Sequence, residues 1–314
     1  MDDLIRKDLK QTFEIVFDEA IPVTGGFLNE KWKVHTNKEK LLVKKFSHKR
    51  YNAEKLKAVE EALQRQVLIG IAGVPCPIIR MHEGKIVQIL NDETAYMVME
   101  YKRGQLRDYE NVSVPQMRNL GKACGRMHKA FAQLPVSGMN FDTVNTDSLW
   151  ENYFTTFKEA VSSGNTAYIK AVSLQKPILE KLTDDFFNNL PKGITHKDFA
   201  ADNVLFDGDE VSAIIDFDTN RYGYIWQDVG RALLSFALHN NQIDKDKIIA
   251  FVNGYSQYLP MDFESAIYAL RLSWCLEVIW WIQRYCFEED RKKVSRFRDE
   301  LCWLTQHWFD LGLL

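Results

Sequence analysis

The sequence predicts an α+β fold of two lobes, a small β-rich lobe over residues 1–101 and a larger helical lobe over 102–314. Three observations carry this reading. Strand-like runs cluster early, at 32–35, 41–46, 85–90 and 95–101, where apolar and polar residues alternate or apolar ones run together. From Pro115 onward the apolar residues recur at helical spacing through 115–132, 147–163, 165–187, 226–239, 243–257, 261–287 and 290–311. The exception in that half is 194–218, where short apolar strands at 204–206 and 211–215 flank the turn Asp207-Gly208-Asp209.

Residues 1–20 read as a helix, with Leu4, Ile5, Leu9, Phe13 and Val16 near a 3.6-residue period. Past Pro22 the period becomes two, through Trp32–Val34 and Leu41–Phe46, with the turn-prone Thr36-Asn37-Lys38 between them. A long helix follows, placing Leu56, Glu60, Leu63 and Val67 on one face, and it stops near Gly73-Val74-Pro75-Cys76-Pro77, because proline cannot continue a helix. After Tyr101, Lys102-Arg103-Gly104 breaks the last strand of the first lobe.

Composition narrows the classes. Lys and Arg total 40 against 43 Asp and Glu, a net charge of −3, which argues against a general nucleic-acid partner that must displace phosphate counterions. The start, Met1-Asp2-Asp3, lacks the basic-then-apolar order of a signal peptide. The apolar stretch 274–282 is interrupted by Glu277 and falls short of the ~20 residues that span a bilayer. Cysteines 76, 124, 275, 286 and 302 are odd in number and show neither paired nor zinc-type spacing. They read as reduced core thiols, so the expectation is a cytoplasmic protein with no membrane and no nucleic-acid partner.

The densest chemistry lies at 194–218: His196-Lys-Asp198-Phe-Ala-Ala-Asp202-Asn203, then an apolar strand ending in Asp216-Phe-Asp218. Phosphoryl transfer needs such a set, one carboxylate to accept a hydroxyl proton and hard oxygen ligands for a divalent metal. Asp198 fits the base, and Asn203 and Asp216 fit ligands to Mg²⁺. Asn and Asp are also ordinary turn formers, yet two Asp and an Asn beside apolar strands are costly to bury without a task.

This stretch resembles the aminoglycoside phosphotransferase/choline kinase family, a branch of the protein-kinase-like fold, and other motifs follow in that family's order. Thr24-Gly25-Gly26-Phe27-Leu28-Asn29 is similar to its phosphate loop between two strands, where glycines let backbone N–H groups approach the phosphates. Leu41-Leu-Val-Lys44-Lys45-Phe46 resembles the strand whose lysine pairs the ATP phosphates. Strand alternation puts Lys44 and Lys45 on opposite faces, and the family pattern selects Lys44. Glu60, on the apolar stripe of the next helix, is the expected ion-pair partner of that lysine. Tyr96-Met-Val-Met-Glu100-Tyr101-Lys102 resembles the hinge, which implies adenine on the Glu100 carbonyl and the Lys102 amide. The resemblance also implies structural roles for His128, for His196 bracing the loop, and for Asp228 as a helix cap that fixes it.

The resemblance implies an ATP- and Mg²⁺-dependent phosphotransferase acting on a small hydroxylated molecule. Three departures stand out: Lys197 and Asp202 replace usual glycines, and Asp216-Phe-Asp218 stands where protein kinases have Asp-Phe-Gly. Two other readings remain. A protein Ser/Thr kinase needs a longer segment after Asp216 and an Ala-Pro-Glu motif; a catalytically inactive kinase-like binding protein would have lost the base, lysine or metal Asp. For the acceptor, Glu277, Trp281 and Tyr285 recur on one helical face. A carboxylate between aromatic rings suits an ammonium group; the same face also reads as an aromatic core stripe.

Overall fold

The computed structural model describes the chain except residues 24–28, 92, 142, 287–291 and 314. It divides into two compact units, Met1–Gln105 with Asn203–Asn220, and Leu106–Asp202 with Arg221–Leu314. The 203–220 hairpin, read from sequence as part of the C-terminal lobe, packs by its contacts with the first unit.

The first unit begins with α1 (Asp3–Thr12), β1 (Ala20–Pro22), β2 (Glu30–His35), β3 (Lys40–Ser47), α2 (Ala53–Ile71), β4 (Gln88–Asn91) and β5 (Thr94–Glu100). Its antiparallel sheet runs β1-β2-β3-β5-β4. One face packs Trp32, Val34, Leu41, Val43 and Val98 against Ile5 and Leu9 of α1; the other packs Phe46, Met97 and Met99 against Leu56, Val59 and Leu63 of α2. Covered on both faces, β5 is buried almost throughout and so reads as a continuous apolar run. The first helix is shorter than its periodicity implied. Glu14 takes a left-handed φ of 55°, and Ile15 and Phe17 drop into the core as irregular chain.

β6 (Gln105–Leu106) leads into the second unit, where α3 (Val114–Phe131), α4 (Thr146–Ser163), α5 (Thr166–Ser173), α6 (Lys176–Leu179), α7 (Asp185–Asn188) and β7 (Lys192–Thr195) follow. β8 (Val204–Asp207) and β9 (Glu210–Ile214) form the hairpin of the first unit. The second unit resumes with β10 (Arg221–Tyr224), α8 (Trp226–Ala237), β11 (Leu238–His239), β12 (Gln242–Ile243), α9 (Lys245–Tyr255), α10 (Phe263–Ile282) and α11 (Lys292–His307). The single helix expected over 165–187 is three short ones. Pro177 sits in the first turn of α6, where its missing N–H is harmless, whereas it cannot extend a helix begun upstream.

Helix crossings depend on missing side chains. A Cβ at Gly121 of α3 would overlap the Phe251 carbonyl, and one at Gly254 of α9 the Arg118 carbonyl, so these two helices meet backbone to backbone. Phe263–Tyr285 is long and apolar enough to cross a membrane by length and composition, and 56% of its apolar window is buried inside the fold. In the structure α10 packs against α8, α9 and α11. A helix surrounded by neighbours is apolar all round.

Candidate active site

The residues expected on the nucleotide side lie in the first unit. Lys44 is 2% exposed, and its ammonium donates to Asp216 Oδ1 at 2.7 Å and Asp218 Oδ2 at 2.5 Å. Burial alone lowers the Lys44 pKa, but the two carboxylates outweigh it and hold the group above its ordinary value. Burial pushes the Asp218 carboxyl upward, the neighbouring Asp216 charge adds to this, and Lys44 opposes it. Lys45 points the other way and meets Asp2 at 3.3 Å.

The β8–β9 ladder aligns the proposed metal ligands. Val204 pairs with Ile214, and the Ile215 N–H donates to the Asn203 carbonyl at 2.9 Å, so Asn203 and Asp216 leave the ladder side by side. Asp216 adopts φ 67° and ψ 51°, a left-handed conformation that costs free energy for a residue with a Cβ and that concentrates at functional sites. A carboxylate and an amide oxygen are the hard donors that would suit Mg²⁺ shared with phosphates, and a cation, the Lys44 ammonium, already rests on Asp216.

The Asp198 loop lies in the second unit, at the end of the β7–β10 ribbon, where Thr195 pairs with Arg221. Asp228, fully buried, holds it. Its Oδ2 accepts the His196 N–H at 2.7 Å and its Oδ1 the Lys197 N–H at 2.8 Å. A carboxylate only accepts, so His128 donates Nε2–H to Asp228 at 2.9 Å and takes the Tyr255 hydroxyl on Nδ1 at 2.9 Å. Asp228 is therefore no helix cap: the residue flanking the start of α8 is Ile225, which gives no side-chain cap, and the Asp228 carboxylate is committed to the loop. Next in the chain, the Asp198 N–H donates to His196 Nδ1 at 3.3 Å, and Phe199 is buried while Asp198 is half-buried. Lys197 has φ 74°. That left-handed geometry accounts for the glycine usual at this position in the family it resembles, and here the two amide bonds to Asp228 keep a lysine in it.

Other expected residues lie as follows. Gly25 and Gly26 fall outside the described residues. The Asn29 side chain accepts the Ser47 N–H at 3.2 Å. Glu60 does not pair with Lys44: its carboxylate accepts the N–H groups of Ile86 (3.0 Å) and Val87 (2.8 Å) and a Gln64 amide. An inward carboxylate needs donors, and backbone amides serve as well as a cation. Glu100 forms a 2.8 Å ion pair with Lys102, and the Tyr101 N–H between them donates to the Lys40 carbonyl.

The helix face expected to meet the acceptor is also taken up internally. Glu277 pairs with buried Arg231 at 2.7 Å, Trp281 packs on Phe297, and the Tyr285 hydroxyl shares a hydrogen bond with Cys302. Sequence reasoning missed Asp218 as a partner of Lys44, the Arg231–Glu300 ion pair, and the Arg65–Asn220 clamp between α2 and the Asp216 segment. A buried-face Arg in α2 was the one signal available for that clamp.

A β-sheet unit with a buried lysine beside an Asp-Phe-Asp turn, and a helical unit with a His-x-Asp loop, define a kinase-type phosphotransferase. The chain belongs to the phosphotransferase enzyme family, whose profile matches residues 19–261. It is 26% identical over 207 residues to the homoserine kinase of Neisseria meningitidis serogroup B, covering 66% of this chain and 64% of that protein. The homoserine kinase of Rhodopseudomonas palustris is 25% identical over 242 residues, 76% of this chain and 70% of that protein. The chain thus spans just under two thirds of the first relative's length and somewhat more of the second's.

Among solved structures, an amicoumacin kinase in complex with AMP-PNP and Ca²⁺ matches with a TM-score of 0.67 at 14% identity, over 98% of this chain and 93% of that one. A microcompartment-associated aminopropanol kinase matches at 0.66 and 15% identity, over 98% of each chain. The fold is α+β and protein-kinase-like.

Proposed function

We propose that the protein transfers the γ-phosphate of ATP to a hydroxyl of a small amine-bearing molecule. The observation that carries this is the buried Lys44–Asp216–Asp218 cluster, joined through the β8–β9 ladder to Asn203 and followed back along the chain by the braced Asp198 loop. Lys44 pairs the phosphates, Asn203 and Asp216 hold Mg²⁺, and Asp198 accepts the proton of the acceptor hydroxyl as it attacks. When bound, the metal neutralises charge developing on the phosphates. Glu100 and Lys102 carry adenine on their main chain, Gly25, Gly26 and Asn29 belong to the phosphate loop, and the reaction belongs in the cytoplasm.

Only residues 217–225 separate Asp216 from α8, and β10 occupies four of them. That leaves no room for a protein-kinase activation segment, which favours a small acceptor. The relatives are homoserine kinases, and one structural neighbour is an aminopropanol kinase. Both names denote an alcohol that also carries an amine, which supports the same class here. Glu277, Trp281 and Tyr285 remain candidates for the acceptor site, with Glu277 already neutralised by Arg231. The test is a panel of homoserine, aminopropanol, choline, aminoglycosides and neutral sugars with ATP and Mg²⁺, read as phosphate-ester formation. Amine-bearing alcohols are expected to be phosphorylated; transfer to neutral sugars alone contradicts the amine requirement.

A further inference from the structure

In a protein-kinase-type site the nucleotide lysine takes its counter-ion from the helix after its strand. Here α2 offers Glu60, and Glu60 is engaged elsewhere, with three hydrogen bonds from the Ile86 and Val87 amides. Lys44 instead has two anions, both from the segment after β9. The two differ in surroundings: the Asp216 side chain is 37% exposed and Asp218 only 8%.

The α2 helix still reaches that segment by another route. Arg65 donates Nε–H to Asn220 Oδ1 at 2.7 Å and Nη2–H to the Asn220 carbonyl at 3.1 Å. Buried Asn220 donates its amide to the Ala62 and Phe217 carbonyls, each at 2.7 Å. The clamp fixes the Phe217–Asn220 turn on α2, and Asp218 with it.

We propose that Asp218 is the standing counter-ion of Lys44, replacing a helix glutamate, and that it holds the ammonium when Asp216 turns to Mg²⁺. This rests on the nucleotide reading of the site. An ammonium with one carboxylate would have to be stripped of it each time metal bound Asp216. With two, the buried one keeps the charge compensated and the more exposed one is released. Asp218 is thus a positioning residue acting through Lys44, and a carboxylate at this place has a task that the Gly of Asp-Phe-Gly cannot perform.

The test is binding of a fluorescent ATP analogue to the full chain as Mg²⁺ is titrated, for wild type, Asp218→Asn, Glu60→Gln, Lys44→Ala and the Lys44→Ala/Asp218→Asn pair. Asp218→Asn is expected to raise the Mg²⁺ concentration for half-maximal binding roughly tenfold, the scale on which a close opposite charge shifts an ionic equilibrium. Glu60→Gln leaves it unchanged. In the Lys44→Ala background Asp218→Asn adds nothing, because its effect passes through the ammonium.

Asp218→Ser, neutral and smaller, carries the same expectation should the amide not fit. A rise with Glu60→Gln and none with Asp218→Asn overturns the proposal, as does a further rise in the double variant, which would make Asp218 a metal ligand itself. Failure of the wild type to bind the analogue at any Mg²⁺ concentration overturns the nucleotide reading and this proposal together. Normal wild-type binding that ignores Asp218 overturns this proposal alone.

Discussion

Lys44 and Lys45 are neighbours in sequence with opposite surroundings: one is 2% exposed between two carboxylates, the other is half-buried on the opposite face beside Asp2. Strand alternation foretold that separation, because the period of two is a geometric property of the backbone. Lys44→Ala is expected to weaken nucleotide binding strongly and Lys45→Ala hardly at all, as measured by titration of an ATP analogue; equal losses would contradict the assignment. Glu60 shows where residue-level reading stops. Its inward position was legible, but its partners are the amides of Ile86 and Val87, and a main-chain donor leaves no mark in the sequence. The Lys44–Asp218 contact joins residues 174 positions apart, a distance no local pattern spans.

At the scale of elements, long helices with a steady period were legible to within a few residues, as α3, α8 and α9 demonstrate. The breaks were not: the left-handed Glu14 that ends the first apolar stripe and the splitting of 165–187 are backbone events. The β7–β10 ribbon pairs residues on both sides of the hairpin, so it too is tertiary.

Two predictions belong here. Gly254→Ala drives a methyl group into the Arg118 carbonyl where α9 crosses α3, and overpacking of this kind costs about 1–3 kcal/mol. A lowered denaturant midpoint would register it, and an unchanged midpoint would contradict the backbone-to-backbone crossing. Asp228→Ala leaves the His196 and Lys197 amides and His128 without their acceptor, at about 1–3 kcal/mol for each buried group left unsatisfied. It is expected to lower the thermal midpoint and the turnover together, while Glu180→Ala, which removes an exposed ion pair, changes neither.

For the whole molecule, burial has a chemical signature in the thiols. Burial pushes Cys76 up to about 11, with Lys102 opposing and Glu100 reinforcing, and it raises Cys124 and Cys275 as well. A group whose pKa rises on folding stays protonated further into alkali, and only the thiolate reacts. At pH 8 these three are expected to resist a disulfide reagent in the native protein and to react once it is unfolded; rapid native labelling of Cys76, located by peptide mapping, would contradict its burial against Gln66 and Gly70 of α2.

The central claim is that this fold moves phosphate with Asp198 as base, and the most direct measurement compares Asp198→Asn with wild type in two assays on one preparation. ATP-analogue affinity is expected to be the same for both proteins, since the nucleotide is held by groups other than Asp198. Phosphate-ester formation on the best acceptor is expected to fall by roughly 10²–10⁴ without the base. Near-normal transfer by Asp198→Asn would contradict the account.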